Sequence, residues 1–118
     1  MQIKVLRSKI HRARVTEARI DYVGSITIDR KLMDAVGIVA GQCVLVSDMT
    51  DGARFETYVM EGEAGSGVIC INGAAARLVT EGDEVIIMAF AYLPVEKAEQ
   101  LKAKVALVDT DNRLTSLL

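Results

Sequence analysis

The sequence predicts a mainly β chain that closes into one small barrel carrying two short helices. Three observations carry that expectation. Short β-branched runs with period-two alternation recur along the chain. A strand, short helix, glycine corner and returning strand occur twice, at an offset of 41 residues. The composition is 51% hydrophobic and 25% charged, and 118 residues make about one domain.

Strands are predicted over Gln2–Leu6, Arg14–Ile20, Ser25–Ile28, Gln42–Ser47, Arg54–Met60, Gly67–Ile71 and Asp83–Tyr92. A helix over Arg30–Val36 follows Asp29, a good N-cap, and stops at Gly37. A second helix over Ala74–Val79 follows Asn72, another N-cap candidate. Met49–Gly52 reads as a turn. Pro94, the sole proline, marks the expected end of the compact body. The tail, 95–118, has a weak helical start and a strand-like Val105–Val108 stretch, and is expected to be peripheral. No linker divides the chain, so residues 1–118 form a single domain.

The repeat places Ile28 on Ile69, Gly41 on Gly82 and Val44 on Val85. Self-similarity of this kind suggests a pseudo-twofold unit. Two β–helix–β units with flanking strands fit a closed barrel, which removes most sheet edges. Double-psi and swapped-hairpin barrels are both built this way.

Several function classes are excluded or made improbable by inventory. There is one His and there are two Cys, too few for a four-ligand structural zinc site, and no metal is expected. The longest apolar run, Val85–Leu93, has nine residues against the roughly 20 a membrane helix needs. The N-terminus is basic but lacks the apolar core of a secretory signal. Cys43 and Cys70 lie in apolar segments and read as buried free thiols, which points to the cytoplasm. Residues 1–20 carry a net +5 and the remainder −7. Such a basic arm suits nucleic acid, a small anion, an acidic subunit or plain solvent.

Four segments are able to carry chemistry. In Tyr22-Val23-Gly24-Ser25, a glycine within a strand pattern reads first as a bulge. The Gly24 carbonyl carbon is also unshielded, and the Ser25 hydroxyl is the adjacent nucleophile. Attack there gives an ester, elimination breaks it, and hydrolysis leaves a pyruvoyl group at residue 25. In Arg54-Phe55-Glu56-Thr57-Tyr58, Arg54 and Tyr58 share one strand face, a carboxylate fork beside a proton donor, or an ordinary surface strand. Asn72-Gly73-Ala74-Ala75 opens a small-residue helix that suits either an anion or simple capping. If Ser8–Ala18 is extended, Lys9 and His11 share one face, of a site or of a plain basic strand facing solvent.

Taken in order, SKIHRARVTEA, YVGSITID, ARFETY and INGAAARL resemble the aspartate 1-decarboxylase family, pyruvoyl-dependent bacterial enzymes. The likeness covers most of residues 1–94 and is weaker after Pro94. It implies a six-stranded double-psi β-barrel in a homotetramer with active sites between subunits. It implies self-cleavage after Gly24 into a β chain, 1–24, and an α chain, 25–118, whose pyruvoyl cofactor derives from Ser25. That ketone forms a Schiff base with L-aspartate, and loss of CO₂ yields β-alanine for pantothenate and coenzyme A synthesis. By position, Tyr58 resembles the proton donor, and Lys9 and Arg54 the carboxylate ligands. Thr57 and the Gly73-Ala74-Ala75 backbone resemble substrate contacts. Thr57 and Asn72 also resemble cleavage residues, and His11, Tyr22 and Ile86 resemble pocket-lining residues. Some members carry an aromatic at position 47, which here is Ser47. Some relatives use a helper protein for maturation.

Two rivals stand beside this reading. The stretch from Gly24 to Val46 also resembles an AbrB-type swapped-hairpin DNA-binding factor, whose basic arm would contact phosphates. Against it are the acidic total charge, the second repeat unit and the RFETY and INGAAA segments. The other rival is a non-catalytic oligomeric barrel that binds a small acidic ligand.

Overall fold

The computed structural model describes all 118 residues. In chain order its elements are β1 (Gln2–Arg14), β2 (Glu17–Arg19), β3 (Ser25–Asp29), α1 (Arg30–Val36), β4 (Cys43–Asp48), β5 (Arg54–Gly62), β6 (Ile69–Asn72), a 3-10 helix (Gly73–Leu78), β7 (Glu84–Pro94), α2 (Val95–Ala98), β8 (Lys104–Val108) and β9 (Leu114–Leu117). The strands lie in the order β2-β6-β3-β5-β4-β7-β1-β8-β9. Only Val15 and Thr16 separate β1 from β2, yet these two strands flank opposite ends of the β6-β3-β5-β4-β7 run. The first strand, bent at that point, therefore closes the sheet on itself, and with β3 to β7 it makes the expected six-stranded barrel.

The first strand departs from expectation. It does not stop at Leu6 but continues through the basic run to Arg14, and the strand expected over 14–20 survives only as β2. Partners on both edges explain this. β7 pairs antiparallel along one side and β8 pairs parallel with Ser8–His11 along the other. Alternate residues Ser8 and Ile10 are fully buried, so the basic residues between them decorate a core strand. Register shifts fall between Leu6 and Ser8 and between Ile10 and Ala13, and Arg12 sits in the second with φ 62°.

The core follows the period-two pattern. Ile26 and Ile28, Val44 and Val46, Ile69 and Ile71, and Val85 and Ile87 are all essentially inaccessible. Each such side chain stabilises the fold by about 1.5–3 kcal/mol. α1 adds Leu32, Met33 and Val36 to the same cluster.

The repeat appears as reciprocal hydrogen bonds. Gly41 N–H donates to the Val59 carbonyl (2.8 Å), and Val59 N–H to that of Gln42 (3.0 Å). In the other half, Gly82 N–H donates to Val15 (2.8 Å) and Val15 N–H to Asp83 (2.8 Å). Each glycine corner thus docks on the opposite half, as a pseudo-twofold axis requires.

The compact body does not end at Pro94. β8 and β9 extend the sheet beyond β1, and Ala106 is fully buried. Asn112, itself buried, fastens this edge. Its Oδ1 accepts from Arg14 N–H (2.7 Å), and its Nδ2 donates to the carbonyls of Arg14 (2.8 Å) and Gly67 (2.8 Å).

Candidate active site

Ser25 opens β3 directly opposite Asn72, the last residue of β6. Both point to the face away from Ile26 and Ile71, and both are buried, Ser25 at 0% exposure. Asn72 Nδ2 donates to Ser25 Oγ (3.0 Å) and to Thr27 Oγ1 (3.2 Å). The Cys70 thiol donates to Asn72 Oδ1 (3.3 Å). All three polar positions of this carboxamide are therefore engaged. The expectation that Asn72 caps the following helix is corrected: no side-chain cap bond forms, because the amide is turned to the serine instead. Thr27 and Cys70 escaped the sequence reading. The signal was available, since each lies two residues from a named site residue on the same strand face.

The glycine in close backbone contact at this turn is Gly73, not Gly24. Gly24 sits in the turn before β3, and a Cβ there would meet nothing within 4 Å. Gly73 has φ +75°, and a Cβ on it would lie 2.6 Å from Gly24 Cα and 3.3 Å from the Tyr22 carbonyl oxygen. Only glycine holds this conformation without strain while pressing against the Cα and nitrogen of Gly24. The helix that follows is a 3-10 turn from Gly73, not an α-helix from Ala74. Ala74 is exposed and Ala75 half-buried at its start.

β5 flanks β3 on the other side in parallel, with Ile26 level with Val59. Extending that register one step back sets Tyr58 beside Ser25 on the same face, and a second step sets Thr57 beside Gly24. Arg54, Glu56 and Tyr58 are exposed while Phe55 and Thr57 are half-buried, the alternation expected for this strand. Tyr22, Val23, Tyr58 and Met60, all exposed, line a shallow groove of about 640 Å³. The Arg19 guanidinium lies 4.9 Å from the Tyr22 ring centroid.

A second group lies elsewhere on the barrel. Ser47 stands opposite Arg54 on β5 and opposite Ile86 on β7, so these three form one row. Lys9 and His11 follow on β1, Lys9 opposite Met88 and His11 in the bulge across from Ile86. Ser47 Oγ and His11 Nδ1 are buried without a partner. Burial pushes the His11 imidazole down, reinforced by the charges of Lys9 and Arg12, which keeps it neutral near pH 7. Along β5, Arg54 and Tyr58 are roughly 13 Å apart. The fold thus brings Ser25, Asn72 and Gly73 together, carries Tyr58 and Thr57 on opposite faces of the adjoining β5, and sets Lys9, His11, Ser47, Arg54 and Ile86 elsewhere.

The cysteines differ from each other. Cys70 is buried as expected, but Cys43 is exposed on the outer face of β4 beside Glu56 (3.7 Å). Its neighbours Val44 and Val46 take the inward positions, so alternation turns the thiol out. Of the basic arm, Arg12 pairs with Glu84 (2.8 Å) and Arg19 with Glu17 (2.9 Å), which removes two charges from any phosphate-binding stripe. No group of three or more His, Cys, Asp or Glu is placed to hold a metal, and no helix is long and apolar enough to cross a membrane.

Comparison with known proteins addresses fold and family separately. Two designed double-psi barrels share the fold. The computationally designed msDPBB_sym2 protein aligns at TM-score 0.52 and 21% identity, over 74% of this chain and 99% of its own. The rationally designed mkDPBB_sym_86 protein aligns at 0.51 and 23%, over 74% and 96%. In sequence, the chain is 56% identical to an aspartate 1-decarboxylase of Caldicellulosiruptor saccharolyticus, over 99% of this chain and 91% of that one. It is 53% identical to one from Geobacillus sp. (97% and 90%) and 56% identical to one from Porphyromonas gingivalis (93% and 93%). The family profile described as Aspartate decarboxylase matches residues 1–115. With likeness spanning the barrel, the serine turn and the tail alike, this chain belongs to the aspartate decarboxylase family.

Proposed function

We propose that this protein is a pyruvoyl-dependent aspartate 1-decarboxylase that makes its own cofactor from Ser25. One observation carries the reading: a fully buried serine hydroxyl, fixed by Asn72 Nδ2 at 3.0 Å, directly after a glycine whose carbonyl has no side chain of its own beside it. Ser25 Oγ attacks the Gly24 carbonyl carbon, the Gly24 C–Ser25 N bond breaks, and the hydroxyl proton passes to the nitrogen. The ester so formed is an isomer of the original peptide, so no co-reactant is consumed. Loss of the Ser25 Cα proton then expels the Gly24 carboxylate, and water hydrolyses the resulting dehydroalanine to a pyruvoyl group and ammonia. Residues 1–24 and 25–118 become the two chains.

The residues present fit that group. Asn72 and, by register, Tyr58 flank residue 25 from either side, and Gly73 leaves room where a Cβ would collide. When formed, the pyruvoyl group supplies an electron sink for the pair left by departing CO₂. Tyr58 delivers a proton to the carbon that loses CO₂. Thr57 and the Gly73-Ala74-Ala75 backbone contact the substrate. Arg54 and Lys9 hold its side-chain carboxylate, and Ile86 supplies an apolar wall with His11 and Tyr22 along the pocket. The separation of the Lys9–Arg54 row from Ser25 along β5 supports a homotetramer in which a second copy completes each site. The apolar groove of Tyr22, Val23, Tyr58 and Met60 suits such a neighbour. The product, β-alanine, supplies pantothenate and coenzyme A synthesis in the cytoplasm, with maturation aided by a helper protein where processing is slow.

Intact-mass measurement tests this directly. The expected result is two fragments split after Gly24, with residue 25 ketonic and reducible by borohydride in the presence of amine. A Ser25→Ala chain stays whole and releases no CO₂ from aspartate. An uncut wild-type chain that binds DNA with salt-sensitive affinity overturns the reading in favour of the swapped-hairpin alternative.

A further inference from the structure

We infer that Cys70 and Thr27 are positioning residues for the self-cleavage of Ser25, acting through the Asn72 carboxamide. This rests on the reading of Ser25 as the cofactor precursor.

A carboxamide has two orientations related by a half-turn, and only one presents N–H groups to the serine. Asn72 is buried at the end of β6, with Cys70 two residues before it on the same face and Thr27 two residues beyond Ser25 on the facing strand. The thiol donates to Oδ1 (3.3 Å), so the oxygen is held toward β6. Both Nδ2 hydrogens then fall on β3, one on Ser25 Oγ (3.0 Å) and one on Thr27 Oγ1 (3.2 Å). In this orientation Ser25 Oγ accepts a hydrogen bond, and its own proton is left uncommitted for transfer to the Ser25 nitrogen as the Gly24 carbon is attacked. The opposite orientation would face Oδ1 to the serine, where it would bind the hydroxyl proton and tie it away from that transfer. Burial pushes the Cys70 thiol up and the Glu17 charge adds to this, so the sulfur keeps the proton that makes it a donor. Thr27 holds the second N–H, which would otherwise be buried unpaired.

The test follows the full-length chain from synthesis, recording the fraction cut after Gly24 against time by intact mass. Cys70→Ala removes the donor and should slow cleavage by about threefold to tenfold, the worth of one buried hydrogen bond. Cys70→Ser restores a hydroxyl donor and should bring the rate back to within about twofold of wild type. Thr27→Val should slow cleavage by a similar factor, and Thr27→Ser should recover it. Thermal midpoints taken with each change in the uncuttable Ser25→Ala background separate positioning from stability, since a structural role alone would track the midpoint and not the donor. Should Cys70→Ala fail to fold, the Thr27→Val and Thr27→Ser pair decides. Equal rates for Thr27→Val and wild type, or for Cys70→Ala and Cys70→Ser, overturn the inference. Wild-type protein that never cuts overturns the underlying reading instead, and the two failures are thereby distinct.

Discussion

Each β–helix–β unit of the barrel has one strand-to-helix junction, and the polar residues that end the two strands, Asp29 and Asn72, are used in opposite ways. Asp29 ends β3 and turns its carboxylate onto its own helix and the neighbouring loop. Oδ1 accepts from Lys31 N–H (2.9 Å) and Gly65 N–H (2.9 Å), and Oδ2 from Gly67 N–H (2.8 Å). The α-helix that follows is properly capped. Asn72 ends β6 and turns away from its helix to Ser25, and only a 3-10 turn follows. One junction is committed to holding the fold and the other to holding the serine. A duplicated architecture thus leaves one strand end free to bind Ser25 while the other keeps its capping role.

The largest expected effect breaks this division at the Asn72 end. Asn72→Ala should slow cleavage after Gly24 by about a hundredfold, the loss typical of removing one donor aimed at a reacting centre. Asp29→Ala should leave the cleavage rate of the folded chain within a fewfold of wild type while lowering the unfolding midpoint. Intact mass against time for both variants, with urea unfolding in parallel, checks the pair. Equal effects of the two on cleavage would erase the distinction.

Next in size is the pair of glycines at the same junction. Gly73→Ala combines a positive φ with a contact 2.6 Å from Gly24 Cα and should cost about 3 kcal/mol. Gly24→Ala meets nothing and should cost less than about 1 kcal/mol of stability. Urea unfolding in the uncuttable background measures both, and a reversal of their order would show that the close approach lies elsewhere.

Legibility of the sequence divided along similar lines. The barrel was readable because alternation and the Gly41/Gly82 repeat are local patterns. β1 was not readable beyond Leu6, because its basic residues conceal a strand whose pairing with β8 lies nearly a hundred residues away. The tail's attachment through Asn112 was hidden for the same reason: a lone Asn in a polar stretch gives no sign of three long-range bonds. Ser25, Asn72 and Tyr58 were legible only as a set of motifs resembling a family. Their mutual placement needed the register of β3 against β5 and β6.

A smaller effect sharpens the Asp29 side. Burial raises the Asp29 carboxyl, but the Gly65, Gly67 and Lys31 N–H donors outweigh it and leave the group below its ordinary 3.8. A depressed carboxyl contributes stability that is present above the ordinary value and is lost as pH falls through the folded one. Asp29→Asn should therefore cost about 2 kcal/mol at neutral pH, since an amide group must face one of the three donors. The difference from wild type should shrink as pH is lowered below about 4. Urea midpoints between pH 7 and pH 3 read this out, and a gap that widens on acidification would contradict the assignment.

The smallest effect concerns what the halves still share. Gly41 and Gly82 turn the two corners with φ of 85° and 94°, and a Cβ at either would meet nothing within 4 Å. Each docks on the opposite half through one N–H of 2.8 Å. With no steric term to separate them, only the left-handed backbone opposes a side chain. Gly41→Ala and Gly82→Ala should each cost about 1 kcal/mol, alike to within about 0.5 kcal/mol. Gly82→Ala should leave cleavage after Gly24 unchanged, whereas Gly41 lines the groove of Tyr22, Val23 and Tyr58, so its variant is compared by unfolding alone. Unequal losses in urea unfolding would mean that the departure from symmetry reaches the corners. Equal ones would confine it to the junction where Asn72 has left its helix.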